Sequence, residues 1–374
     1  MKEVNVGIIG GGLMGREAAS AFSRWCVFND MPVKPVLKAV CDLDENVLEW
    51  YKKVATVTQF TTVASELLKN KEIEVVYVAV PHHLHEELYK QVLASGKDLI
   101  AEKPFGIDLK SCRNIIDKVK ESKRFVRCSS EFPFLPGPQK VIEYVRSNKV
   151  GKLLEVKSGF HHSSDVNTKK PINWKRMVAY CGEVGVMGDL GMHAVHLPFR
   201  LGYYPISVYA DLQNIIKKRP GADGTMKACD TWDNAILHTR IEKEDHTVPM
   251  TIEMKRIAPT ETNTWYIEIL GTKGGVKYST KEPKTLWTFA IEGVTQRWQK
   301  EDLGFKSVLD TITGGIFEPG FPDCFQQMLG AYFAERAGSL GERFHCATPE
   351  EALLSHQLFD AALRSEKENK VVNL

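Results

Sequence analysis

The chain has 374 residues, 43% of them hydrophobic and 26% charged, with a formal net charge of +2. A balance so near neutral leaves no electrostatic footprint for nucleic acid or an anionic membrane, and the length passes the roughly 250–300 residues at which a single core stops growing, so two domains are expected. Eight cysteines without any C-x-x-C pair argue for free thiols in a reducing compartment rather than a disulfide framework or a zinc site.

The first apolar run, Val4–Ile9, ends in glycines and is followed by a helical pattern over Leu13–Trp25. The run is too short to span a membrane and lacks a small-residue cleavage site, so the expected location is cytoplasmic. Val36–Cys41 reads as a second strand ending at Asp42, preceded by a loop over Val27–Lys34. Glu45–Val54 reads as a helix with Val47, Leu48 and Tyr51 on one side. Ile73–Val80 is apolar throughout, as for a strand buried on both faces. Leu84–Ala94 is helical and stops at Gly96, Leu99–Ala101 is extended, Leu109–Lys120 is helical and Phe125–Ser129 is extended. The cationic segment Lys118–Arg124 contains Glu121 and reads as a solvated helix end. This alternation predicts a doubly wound parallel sheet over residues 1–129, because parallel neighbours need crossover helices.

Residues 130–374 have a different texture. Leu153–Phe160, Ala235–Ile241, Met250–Arg256, Trp265–Leu270 and Val276–Ser279 are extended candidates with few helices between them, and GTKGG at 271–275 is a hairpin-type turn. They predict an α+β second domain built on a large, mostly antiparallel sheet. A last helix, about 348–367, opens with Thr348, Pro349 and Glu351 in a capping-box arrangement and is expected to pack back toward the first domain.

In a doubly wound sheet, ligands lie beyond the carboxyl ends of the strands. Gly10, Gly12 and Gly15 form G-x-G-x-x-G between a strand and a helix, with Leu13 and Met14 at the helix start. The first glycine permits the tight turn, the second lets a pyrophosphate approach the backbone, and the third lets the helix pack on the strand. Asp42 ends the next strand, where a carboxylate accepts from an adenosine ribose and repels a 2′-phosphate. NAD is therefore favoured over NADP, although Asp42 lies further from Gly15 than the usual roughly 20 residues. A strand-end turn aspartate is the alternative. Further along the same edge stand Pro81, His82, His83 and His85, then Glu102-Lys103-Pro104.

The segment GDLGMHAVHL places Asp189 and His193 four residues apart, hence neighbours on one helix face, with His196 one turn on. Either these residues are satisfied by a core, with Asp189 capping the helix, or they line a site. Upstream, His161, His162, Asp165, Trp174 and Lys175 fall in a polar stretch, and a tryptophan beside charged groups suits the apolar face and hydroxyls of a sugar. His161 and His162 could suggest a metal, but no closely spaced ligand set supports one.

The nucleotide loop, Glu102-Lys103-Pro104 and Asp189-x-x-x-His193, in this order, resemble the Gfo/Idh/MocA family of oxidoreductases over nearly the whole chain. GTKGG and the ending TPEEALLSHQLFDAALRSEKENKVV fit the same pattern, and the loop before the second strand is similar to the levoglucosan dehydrogenase-like branch. The resemblance implies NAD(P)-dependent oxidation of a secondary hydroxyl on a sugar, glycoside or cyclitol, and assembly as a homodimer or homotetramer through the exposed sheet face. It implies that Lys103 lies near nicotinamide and substrate, and that Asp189 and His193 orient the substrate and move its proton. Histidine has the unperturbed pKa suited to that transfer, and a lysine stiffened by the following proline can polarise the reacting oxygen or share the base role. Glu102, Pro81, His82 and His85 are expected on the cofactor side, and His162 and Trp174 on the substrate side. The chain departs from the family pattern at His196, often an aspartate, at His82, often an asparagine, and in GEVGVMGD before the motif. An NAD-dependent glycosidase acting by transient C3 oxidation and elimination, and a catalytically silent NAD-binding sensor, remain alternatives.

Overall fold

The computed structural model describes residues 1–243 and 246–374. The chain forms two compact units, one made of Met1–Phe134 with Lys306–Leu353, the other of Leu135–Phe305 with Leu354–Leu374.

In the first unit, β1 (Lys2–Ile9), β2 (Val33–Cys41), β3 (Gln59–Thr61), β4 (Val75–Val78), β5 (Asp98–Ala101) and β6 (Val126–Cys128) form one sheet in the order β3-β2-β1-β4-β5-β6. Every neighbouring pair is parallel. The crossovers carry α1 (Leu13–Ser23), α2 (Glu45–Glu49), α3 (Ala64–Lys69), α4 (His85–Ala94) and α5 (Leu109–Ser122). This is the expected doubly wound sheet, and its strand order reverses between β1 and β4, where such folds open a ligand crevice. Val4, Val6, Ile8, Val75, Val76 and Val78 have no exposed surface, which explains their unbroken apolar character. Several boundaries differ from the sequence reading. The second strand begins at Val33, because Lys2 pairs with Val33 and its N–H donates to Pro32 O at 3.1 Å, so the loop before it is shorter. The helix beginning at Glu45 tightens into a 3₁₀ turn over Trp50–Lys53. β3 and α3, of three and six residues, were too brief to show a period.

The second unit contains α6 (Pro136–Arg146), β7 (Leu153–His161), α7 (Val178–Cys181), α8 (Val186–Arg200), β8 (Pro205–Gln213), a separate hairpin of β9 (Lys218–Pro220) and β10 (Met226–Ala228), then β11 (Asn234–Lys243), β12 (His246–Lys255), β13 (Thr264–Gly271), β14 (Gly274–Ser279), β15 (Thr285–Ala290) and β16 (Gln299–Asp302). Its nine-stranded sheet runs β16-β15-β14-β13-β7-β12-β11-β8-β17, with β17 at Val372–Asn373. Its pairs are antiparallel except β7 with β12. The turn between β13 and β14 falls within GTKGG, as its composition requires.

α8 lies against the centre of this sheet. Ser158 on β7 donates to Ala194 O at 2.6 Å, and Trp265 on β13 donates to His193 O at 2.7 Å. All residues from Val186 to Phe199 are buried, so the helix is apolar nearly all round. Gly191 is required by packing: a Cβ there would sit 2.2 Å from the Phe359 ring.

Two later helices finish the units. α9 (Phe321–Arg336) belongs to the first, where Gln326 donates to Ala21 O and Arg24 O, and Phe333 stands edge-on to Phe22 and Trp25. α10 (Pro349–Glu368) has the expected capping box: Thr348 N–H donates to Glu351 Oε2 at 2.8 Å, and Glu351 N–H to Thr348 Oγ1 at 3.2 Å. Its far end is tied to β8, where Ala210 N–H donates to Ser365 Oγ and Leu212 N–H to Glu366 Oε2, each at 3.0 Å.

Candidate active site

The first unit builds a nucleotide cradle at the turn from β1 to α1. Gly10 has φ +93°, and a Cβ would lie 2.3 Å from Ala79 O, so no other residue fits there. A Cβ on Gly15 would sit 2.3 Å from Gly10 O, which is its helix-packing role. Gly12 faces open space, with nothing within 4 Å of a Cβ, and it is the N-cap of α1 with no side chain closing that end. An uncapped helix start beneath free space is what an anionic pyrophosphate needs. Leu13 is 74% exposed beside it, and Met14 follows in the first turn. Asp42 leaves the end of β2 with Oδ2 accepting from Gly11 N–H at 2.7 Å and Oδ1 from Asp44 N–H at 3.0 Å. Each oxygen retains a second lone pair for a ribose hydroxyl. These residues fit NAD. Tyr51, read from sequence only as an apolar helix residue, props the loop from below: it is fully buried and donates to Gly11 O at 3.1 Å.

At the ends of β4 and β5 the same unit holds a tight polar cluster. Pro81 precedes the turn His82–Leu84, and His82 is buried, 5.5 Å from the His85 ring. His85 has no exposed surface, with Nδ1 2.7 Å from Pro104 O and Nε2 2.9 Å from Val80 O. It ties the segment after Lys103 to the end of β4, a locating role beyond the packing expected at a helix start. Burial pushes its pKa down to about 4, against the pull of the two carbonyls, so near neutral pH the ring carries one proton and donates to one of them. Glu102 accepts from Tyr77 OH at 2.7 Å and from Lys103 N–H at 3.3 Å, while its carbonyl accepts from Tyr89 OH at 2.6 Å. The backbone on either side of Lys103 is therefore fixed by buried partners.

The second unit holds Asp189 and His193 one turn apart on α8, both 3% exposed. Gly185 caps this helix, so the capping alternative for Asp189 does not hold. Its carboxylate instead meets two cations: Lys175 Nζ at 3.0 Å and the Arg256 guanidinium in direct contact. Behind them Arg176 pairs with Asp233 at 2.5 Å and with Asp165 at 3.6 Å, all three fully buried. Asp233 also accepts from the N–H groups of Ile215 and Ile216. Lys170, Arg256 and Arg176 hold the Asp165 carboxyl below its usual value despite its burial. Burial, then the charge of Arg176, push the Arg256 guanidinium down to about 10. Sequence reading missed Arg176, Asp233 and Arg256, which lie far apart in the chain. The signal available was polar residues flanking apolar strand ends.

The other residues of the polar stretch divide. The His193 ring stands edge-on to Phe160 at 5.3 Å, and His162 meets the same phenyl ring at 4.6 Å while Nδ1 reaches Thr262 O at 3.1 Å. His161 projects from the opposite face of β7 to Glu253, 3.5 Å away, as strand alternation requires. Trp174 and Lys175 share one 3₁₀ turn capped by Asn173, with Lys175 Nζ 5.5 Å from the Trp174 ring centre. His196 has no exposed surface.

Comparison with known proteins agrees with this fold. Residues 4–130 match the model described as "Oxidoreductase family, NAD-binding Rossmann fold", and residues 139–277 match the "GFO/IDH/MocA C-terminal domain". Levoglucosan dehydrogenase of Pseudarthrobacter phenanthrenivorans is 24% identical over 75% of this chain and 74% of its own. Glucose-6-phosphate 3-dehydrogenase of Bacillus subtilis is 24% identical over 74% and 75%. Among solved structures, levoglucosan dehydrogenase in complex with NADH and L-sorbose superposes with a TM-score of 0.87 at 20% identity, covering 100% of this chain and 99% of that one. With both halves matched, the chain belongs to the Gfo/Idh/MocA oxidoreductases and carries their NAD-binding Rossmann fold.

Proposed function

We propose that this protein oxidises a secondary hydroxyl of a sugar, glycoside or cyclitol with NAD. The observation that carries the reading is the retention of Lys103, whose flanking backbone is fixed by buried partners, and of Asp189 with His193 one turn apart on a buried helix, in a chain whose relatives are named for levoglucosan, glucose-6-phosphate and, at 25% identity over 40% of the chain, inositol. Bound NAD supplies the hydride acceptor. His193 takes the hydroxyl proton, the general-base role for which imidazole is the commonest side chain. Lys103 polarises the reacting oxygen. Asp189, already in contact with Arg256 and Lys175, acts as an anchor rather than a proton carrier, and it holds the Lys175 ammonium beside the Trp174 ring. Trp174 offers an apolar face to the sugar, and His162 and Lys175 offer polar groups.

Oligomers of two or four copies fit this reading, formed through the sheet face that carries Lys157, Glu253 and Tyr266; sedimentation velocity measures their size. Among the described residues all eight cysteines are free, which suits a cytoplasmic setting. The test of function incubates purified protein and NAD with sugars, their phosphates, glycosides and inositols, following NADH and product release together. NADH formation on a pyranose or cyclitol that is lost in Lys103→Ala and His193→Ala is the expected result. Aglycone release without net NADH would replace it with the elimination reaction, and bound NAD with no turnover would replace it with a sensor.

A further inference from the structure

The helix that carries His193 has a gap in its own hydrogen-bond ladder. Pro198 lies inside α8. A proline has no N–H to donate to the carbonyl four residues back, and its ring crowds that oxygen, so Ala194 O loses its helical donor. Ala194 is wholly buried, where water cannot replace that donor. The sheet supplies it instead. The Ser158 hydroxyl, on β7 and without exposed surface, reaches Ala194 O at 2.6 Å, nearer than its other acceptor, Tyr266 O, at 3.4 Å. One residue earlier on the helix, Trp265 Nε1–H on β13 donates to His193 O at 2.7 Å. Side chains two apart on a strand share a face, so Phe160 follows Ser158 on the side of β7 that meets α8, and it pairs directly with Trp265 in the ladder. The Phe160 ring meets the His193 imidazole edge-on, with 5.3 Å between centroids, and meets His162 at 4.6 Å. Adjacent strands therefore grip His193 at both ends, Phe160 at its ring and Trp265 at its carbonyl. Ser158, Phe160 and Trp265 are all buried.

We infer that Ser158, Phe160 and Trp265 are positioning residues for His193: they fix the helix turn that bears it and the plane of its imidazole. This rests on the proposed role of His193 as the base. A base has to lie within hydrogen-bond reach of the hydroxyl it deprotonates, and misplacing a reacting group by about 1 Å costs on the order of 10²-fold in rate. The second side-chain torsion of histidine is intrinsically broad, and the edge-on phenyl ring narrows it. Pro198 gives the sheet its part in this. An unbroken ladder would hold the turn by itself, whereas the opened one leaves β7 and β13 to set where the backbone after His193 lies.

The test pairs kinetics with NMR on the full-length protein labelled with ¹⁵N-histidine, the His193 imidazole being assigned by its loss in His193→Asn. Ser158→Ala and Trp265→Phe both leave Phe160 in place. In each, the His193 imidazole resonances shift or split while those of His238 on β11 stay where they were. In each, kcat for the sugar falls by at least about tenfold and the KM for NAD is unchanged. Phe160→Leu, which keeps apolar volume without a ring, has the same kinetic effect. Ser158→Thr, which keeps the hydroxyl, restores both kcat and the resonances. A folded Ser158→Ala or Trp265→Phe protein with either readout unchanged overturns the inference, as does a threonine variant that behaves like the alanine one. Should one of the first two variants fail to fold, the other decides. A parent protein that oxidises no sugar refutes the proposed reaction instead, and the imidazole resonances then still decide whether the grip exists.

Discussion

Replacing Arg256 with methionine leaves the Asp189 carboxylate with one cation instead of two, in a site where both residues are more than nine-tenths buried. Removing one partner of a buried pair costs about 3–5 kcal/mol. Two features of this site reduce that figure. Lys175 remains on the other oxygen and keeps a third of its side chain in solvent, and the repulsion between Arg256 and Arg176 is relieved. The expected loss is therefore about 3 kcal/mol, or about 6–12 °C in Tm for a unit of this size. Scanning calorimetry on the purified protein measures it. The companion variant Arg256→Met with Asp189→Leu removes both charges, and it should recover at least half of the lost Tm, because apolar replacement of a whole pair is often neutral. If the single variant melts within about 2 °C of the parent, or the double variant melts below the single, a stranded carboxylate is not what Arg256 prevents.

Gly10→Ala and Gly12→Val should separate folding from binding: the first meets Ala79 O and loses stability, while the second folds normally but blocks the space for pyrophosphate. Thermal shift with and without NAD distinguishes them, and a Gly12→Val protein that NAD still stabilises would refute the cradle. Asp42→Ser removes the carboxylate that opposes a 2′-phosphate and should raise the NADP-to-NAD ratio of kcat/KM by at least about tenfold, or 1.4 kcal/mol. An unchanged ratio would place the ribose elsewhere. His85 makes stability depend on pH. Its unfolded-state value near 6.5 falls to about 4 in the fold. The unfolded chain therefore binds more protons between those values, and stability is complete above 6.5 and declines as pH drops toward 4, by up to about 3 kcal/mol. In urea unfolding the stability difference between parent and His85→Phe should thus shrink from pH 7 to pH 4.5. A constant difference would mean that the ring has the same pKa folded and unfolded.

The nucleotide half was legible because its signals are local: one glycine pattern, apolar runs buried on both faces, and capping residues at the right spacing. That Asp189 and His193 share one helix was visible for the same reason, both lying in a short motif. What sequence could not show was long-range. Asp189 is partnered by Lys175 and Arg256, fourteen and sixty-seven positions away, and no period in the chain connects them. Tyr51 under Gly11 carries ordinary helix composition and gains a role only from the fold. α9 was missed because it is buried nearly throughout, so it has no polar face to set a period.

That helix has a consequence for the order in which the protein can be made. The nucleotide-binding sheet is complete by residue 128, yet Phe333, which stands edge-on to both Phe22 and Trp25, arrives some three hundred residues later. While the ribosome is synthesising the second unit, the first stands with an open apolar flank. A nascent chain arrested before residue 321 would therefore be a better client for chaperones than the finished protein, and closure of that flank is among the last events of its maturation.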